Sequence, residues 1–152
     1  MSTFSTSRIF TAGTLLALTM AVGCSSEPTE EEPEVETMRL VIETTTGLQI
    51  GLTTVNFAGG TCTPSPSSVT IPTAGATVTA SFLRADGTPE TIVTADEFEL
   101  QVTPAGRFTR TGAFTGTIAG GTAGSASLGF ALLHKIEQHE DFGPCNLTVT
   151  VQ

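Results

Sequence analysis

The sequence predicts an all-β domain built as an antiparallel two-sheet sandwich, with a small β-barrel as the alternative. Three observations predict it. Apolar and polar residues alternate in many short runs, the period of a half-buried strand. Turn-forming residues interrupt these runs about every ten positions. The composition is rich in threonine and glycine, with 29 Thr, 16 Gly and 8 Pro in 152 residues and no Trp or Tyr. Branched side chains suit a pleated surface, and Gly and Pro suit turns. No segment carries a convincing 3.6-residue period.

Leu40 and Ile42 alternate with Arg39 and Glu43, which predicts the first strand. Leu48, Ile50 and Leu52 share one parity while Val55 and Phe57 share the other, so a bulge near Thr53 is predicted. Val69 and Ile71 precede Pro72, as at an edge or a strand end. In the stretch 76–83, Val78, Ala80 and Phe82 point one way and Thr77, Thr79 and Ser81 the other. Asp86-Gly87 is a turn signal better suited to a turn than to calcium, and Ile92 is placed on a returning strand. Phe98, Leu100 and Val102 alternate with Glu97, Glu99 and Gln101. Phe108, Phe114 and Ile118 follow. Leu128, Phe130 and Leu132 mark the longest strand, and Leu147, Val149 and Val151 the last. The total is eight to ten strands.

Ahead of this domain lie two segments of different character. Arg8 precedes an apolar run from Ile9 to Val22, about 14 residues, short for a membrane span and typical of a signal-peptide core. The run ends Ala21-Val22-Gly23-Cys24, which resembles the bacterial lipoprotein signal. That resemblance implies removal of residues 1–23, lipidation of Cys24 and anchoring to the membrane by several acyl chains. An ordinary secretory signal is the alternative. Ser25 follows the cysteine, where Asp would suggest retention at the inner membrane, so the outer membrane or cell surface is expected. Residues 24–37 then comprise the cysteine and SSEPTEEEPEVET, with six Glu and two Pro. Such a segment cannot bury enough apolar surface to offset its ordering entropy and is expected to be an extended, disordered tether, or less plainly an acidic binding tail.

Residues 38–152 make one domain. The chain's formal charge is −9, but six of its fifteen acids fall in the tether, which leaves nine acids against five bases in the domain. That balance offers no basic face for nucleic acid. With Cys24 lipidated, Cys62 and Cys145 are an even pair in an oxidising compartment, and a disulfide between them is expected. Free or metal-bound thiols are the alternative.

The segments Gly112-Ala-Phe114-Thr-Gly116, Gly124-Ser-Ala-Ser-Leu128 and NLTVTV at 146–151 resemble the end of a bacterial immunoglobulin-like domain of group 2, and SVTIPTAGATVTASF fits more loosely. Here the turn before Gly124 is about four residues longer than in that family. The resemblance implies an immunoglobulin-like (Ig-like) sandwich with a role in adhesion, spacing or display toward a protein or glycan ligand. It carries over no catalytic residue.

The most varied stretch chemically is HKIEQHEDFGPC at 134–145, which lies outside that pattern. One reading makes it a connection between strands, with His134 at the core edge, Phe142 packed beneath the loop and Cys145 pinning it to the Cys62 loop. The other makes His134 and His139, with Glu137 or Asp141, a site for Zn or Cu. Along one strand the spacing of five puts the two rings on opposite faces, so they converge only if the chain turns between them. HExxH is missing. No serine lies in a GxSxG elbow, no glycine-rich loop precedes a helix, and no catalytic residue is assigned.

Overall fold

The structure is a computed structural model that describes residues 32–152; the signal-like segment, Cys24 and the first part of the acidic segment lie outside the described residues. Ten strands form: β1 Thr37–Thr44, β2 Gln49–Ala58, β3 Thr61–Ser65, β4 Ser68–Ile71, β5 Ala76–Leu83, β6 Phe98–Thr103, β7 Phe108–Arg110, β8 Thr115–Ile118, β9 Gly124–His134 and β10 His139–Val151. One 3₁₀ turn, Ala105–Arg107, links β6 to β7. The strands lie in two sheets, ordered β3-β2-β1-β5-β8-β7 and β4-β10-β9-β6, so the body is a sandwich and not a closed barrel.

The connectivity is that of an immunoglobulin-like domain. Reading β1, β5, β6, β7, β8, β9 and β10 as strands A to G gives one sheet A-B-E-D and the other C-F-G. Three elements are additional. The β2–β3 hairpin widens the first sheet beyond β1, and β4 adds parallel to β10 at the edge of the second.

The alternation in the sequence becomes the core directly. Met38, Leu40 and Ile42 of β1, Val78, Ala80 and Phe82 of β5, Leu128, Phe130 and Leu132 of β9 and Leu147, Val149 and Val151 of β10 are all buried between the sheets. Phe82 meets Phe114 and Phe142 edge-on, with ring centroids 5.6 and 6.3 Å apart. Burial of each large side chain contributes about 1.5–3 kcal/mol.

Four local features differ from the sequence reading. The β2 irregularity is at Ile50, because Ile42 pairs with Gly51 while Glu43 pairs with Gln49. Thr53 and Val55 then point inward, and Leu48 and Leu52 are exposed. β3 is additional; it is reached through Gly59-Gly60, both with positive φ (58° and 77°), the requirement of a tight hairpin turn. The folded body starts before residue 38: Val35 is in the core, the Glu36 amide donates to Leu83 O at 3.1 Å, and Glu36 O accepts from Phe57 at 2.9 Å. No strand forms around Ile92. The Asp86-Gly87 turn does form, held by the Thr88 amide and hydroxyl on Asp86 Oδ1, but the chain then leaves the sheet.

Glu90 holds that departing segment. Its side chain is fully buried and accepts both guanidinium hydrogen bonds of Arg84 at 2.8 Å and the Ile92 amide at 3.2 Å. The Arg84 hydrogen bonds outweigh the opposing effect of burial and, with the Ile92 amide, hold the Glu90 carboxyl down from 4.5 to about 2. A carboxylate whose folded value is lowered stabilises the fold above its ordinary pKa, and that contribution disappears as pH falls through about 2. Glu90→Gln is therefore expected to be less stable than the parent at pH 7, with the difference shrinking between pH 5 and pH 2. Urea unfolding curves across that range check it; a constant difference contradicts the assignment.

Candidate metal centre at the β9–β10 turn

Along β9 the inward positions Leu128, Phe130 and Leu132 lead to His134 at the sheet end. Its side chain is 12% exposed, and its ring stacks on Phe98 of β6 at 4.7 Å with planes 16° apart. That stacking follows from register, because Phe98 and His134 are paired neighbours of β6 and β9. The chain then reverses through residues 135–138. Gln138 takes a left-handed conformation, φ 59°, and its amide donates to His134 O at 2.9 Å. The Lys135 amide and ammonium donate to Glu97 O and Ala95 O at 2.8 and 2.7 Å, which fixes the turn to the segment before β6.

His139 opens β10 directly opposite His134. Cross-strand partners present their side chains on one face, so the hairpin brings together two rings that a continuous strand would separate. Their centroids are 5.5 Å apart at 87°. Glu137 reaches in from the turn, with Oε2 3.3 Å from His134 Nδ1 and 3.1 Å from His139 Nδ1. Donor atoms of His134, Glu137 and His139 all lie within 4.8 Å of one another.

Asp141 takes a different role from the one offered by composition. It is outside this three-residue set. The register passes from Glu140↔Leu133 to Phe142↔Leu132, so Asp141 is the extra residue of a β-bulge. The bulge turns its carboxylate behind His139, with Oδ1 2.7 Å from Nε2. Its side chain is 10% exposed, and Oδ2 is buried with no hydrogen-bond partner among the described residues. A second register shift, between Phe142 and Cys145, accommodates Gly143, whose φ is 93° and where a Cβ would approach Phe130 O to 2.5 Å. Between the two shifts Phe142 is driven into the core, 1% exposed, against Phe57 at 4.9 Å. Cys145 bonds to Cys62 of β3 with their Cα atoms 5.4 Å apart. Phe142 thus packs beneath the loop and Cys145 pins it, as one sequence reading anticipates; the imidazoles also converge, as the other requires.

No family model matches the chain, and neither curated proteins nor solved structures give a match.

The donor set is two imidazoles and a carboxylate, the chemistry of Zn and Cu sites. Bonds of about 2.0–2.1 Å in a tetrahedron separate donors by roughly 3.3 Å; the observed 3.1 and 3.3 Å contacts match two of those edges. His134, Glu137 and His139 would supply the three protein donors to an ion there. Asp141, accepting from Nε2–H of His139, would leave the Nδ1 lone pair free for an ion, the part an outer carboxylate plays in metal sites. Ligating imidazoles must be neutral, so the affinity of such a site would fall as pH falls. Among the described residues, neither imidazole is hydrogen-bonded to a serine, threonine or cysteine side chain, so no nucleophile is paired with a base here.

Proposed function

We propose that the chain is an envelope lipoprotein, anchored at the outer membrane through Cys24, that carries a non-catalytic Ig-like sandwich and captures one divalent transition-metal ion, Zn or Cu, at the β9–β10 turn. The observation that carries the metal reading is that donor atoms of His134, Glu137 and His139 lie within 4.8 Å of one another. The leader and acidic segment support the anchoring.

Equilibrium dialysis of the purified protein against Zn and Cu is expected to give one bound equivalent. Loss of that equivalent is expected in His134→Ala/His139→Ala, a weakening of about 10–100-fold in Asp141→Asn, and weaker binding at pH 5 than at pH 7.5. Undiminished binding by the double variant contradicts the site. Anchoring is tested separately: growth with labelled palmitate is expected to label the parent and not Cys24→Ala, and an unlabelled parent contradicts it.

A second reading rests on the A-B-E-D and C-F-G connectivity. It makes the domain an adhesion or display module for a protein or glycan ligand, with the turn as a structural connection. Absence of metal binding in the dialysis favours it.

A further inference from the structure

The opposite end of β9 builds a second site. From there toward the metal turn, the inward positions read Gly124, Ala126, Leu128, Phe130, Leu132. Side-chain volume drops to almost nothing at the first two, so the sandwich is unfilled at that end. The adjoining segment 119–123 has nothing larger than threonine to plug the gap. It cannot collapse inward either. The Gly121 amide is bonded to Thr73 O at 2.9 Å, and at Gly120 a Cβ would lie 2.2 Å from the same oxygen. The result is a cavity of about 160 Å³, lined by the buried Ile118, Leu128, Val149 and Val151 and, among exposed residues, by Thr122, Ser125 and Arg107.

Size and chemistry both constrain an occupant. A void of about 150 Å³ lined by aliphatic side chains holds a benzene-sized molecule and is a poor host for water. Arg107 is exposed, and its carbonyl accepts from the Ala119 amide at 2.8 Å, so the backbone at the rim is fixed. Among the described residues no carboxylate pairs with its guanidinium, and no acidic residue lines the cavity. Arg107 lines an apolar pocket and has no carboxylate partner among the described residues, and a guanidinium so available suits a planar carboxylate.

We propose that this cavity is a binding site for a small monocarboxylate with a compact apolar body, of benzoate size, with the body between the sheets and the carboxylate on Arg107. The site is independent of the metal turn, roughly 30 Å away along β9 at about 3.3 Å per residue.

The test is a titration of the isotope-labelled full chain with benzoate, benzyl alcohol and acetate, followed by amide chemical shifts. Benzoate is expected to produce saturable shifts centred on residues 107, 118–128 and 149–151, and acetate none. Arg107→Gln, on an exposed side chain, is expected to weaken benzoate about tenfold, the scale of a lost charge-assisted hydrogen bond, and to change benzyl alcohol by less than about twofold. Ala126→Leu, which fills the gap, is expected to abolish both, with the His134 and His139 amides unmoved. No saturable shift with either aromatic probe overturns the site. Equal binding of benzoate by parent and Arg107→Gln overturns the carboxylate assignment.

Discussion

Replacing Cys62 and Cys145 with alanine is expected to lower the unfolding free energy by about 4.5 kcal/mol. The bridge closes a loop with a sequence separation of 83, and restricting an unfolded chain of that length stabilises by this amount in the chain-entropy treatment. Cys145 is also 1% exposed, so the smaller side chain leaves a void in the core. For a domain of this size the loss corresponds to roughly 15–20 °C in melting temperature. Urea unfolding of the oxidised parent and the double variant measures it directly. A difference below about 1 kcal/mol means that the unfolded chain is already compact, or that the bridge is not formed in the native protein.

Phe142→Ala is expected to cost about 3–5 kcal/mol, the range for deleting a buried aromatic ring. Phe142 is 1% exposed and meets Phe57 of the first sheet at 4.9 Å and Phe82 at 6.3 Å, so its loss opens the space between the two layers. Its neighbour Asp141 owes its position to the same bulge. The variant is therefore also expected to bind Zn or Cu more weakly at a temperature where it is still folded. Phe142→Leu keeps most of the volume and is expected to cost less than half as much. Equal stability of Phe142→Ala and the parent would falsify the packing described for this residue.

Most strands were legible because one face of each is buried. A period of two in the sequence then has a physical cause, and Leu40, Ile42, Val78, Phe82, Leu100, Leu128 and Val149 all lie where alternation puts them. Three things were not legible in that way. Strand β3, Thr61–Ser65, is polar and lies at an edge, where alternation has no core to report; its signal was the Gly59-Gly60 pair. Ile92 resembles a strand residue, but the pairing of buried Glu90 with the partly exposed Arg84 takes the chain away from the sheet. Such a pair is invisible until the fold brings residues 84 and 90 together. The candidate site was legible in residue type and not in geometry. His134 and His139 were recognisable as donors, yet their convergence depends on being the closing pair of a hairpin. The separation of roles between Glu137 and Asp141 depends on one inserted residue, which no composition reveals.

The position of β1 has a mechanical consequence. This strand receives the chain from the acidic segment and is hydrogen-bonded on both sides, to β2 and to β5. A pull applied through residues preceding Val35 loads two ladders in shear at once, with no free edge to unzip. The anchoring proposed above would therefore load the domain at a strand secured along both edges.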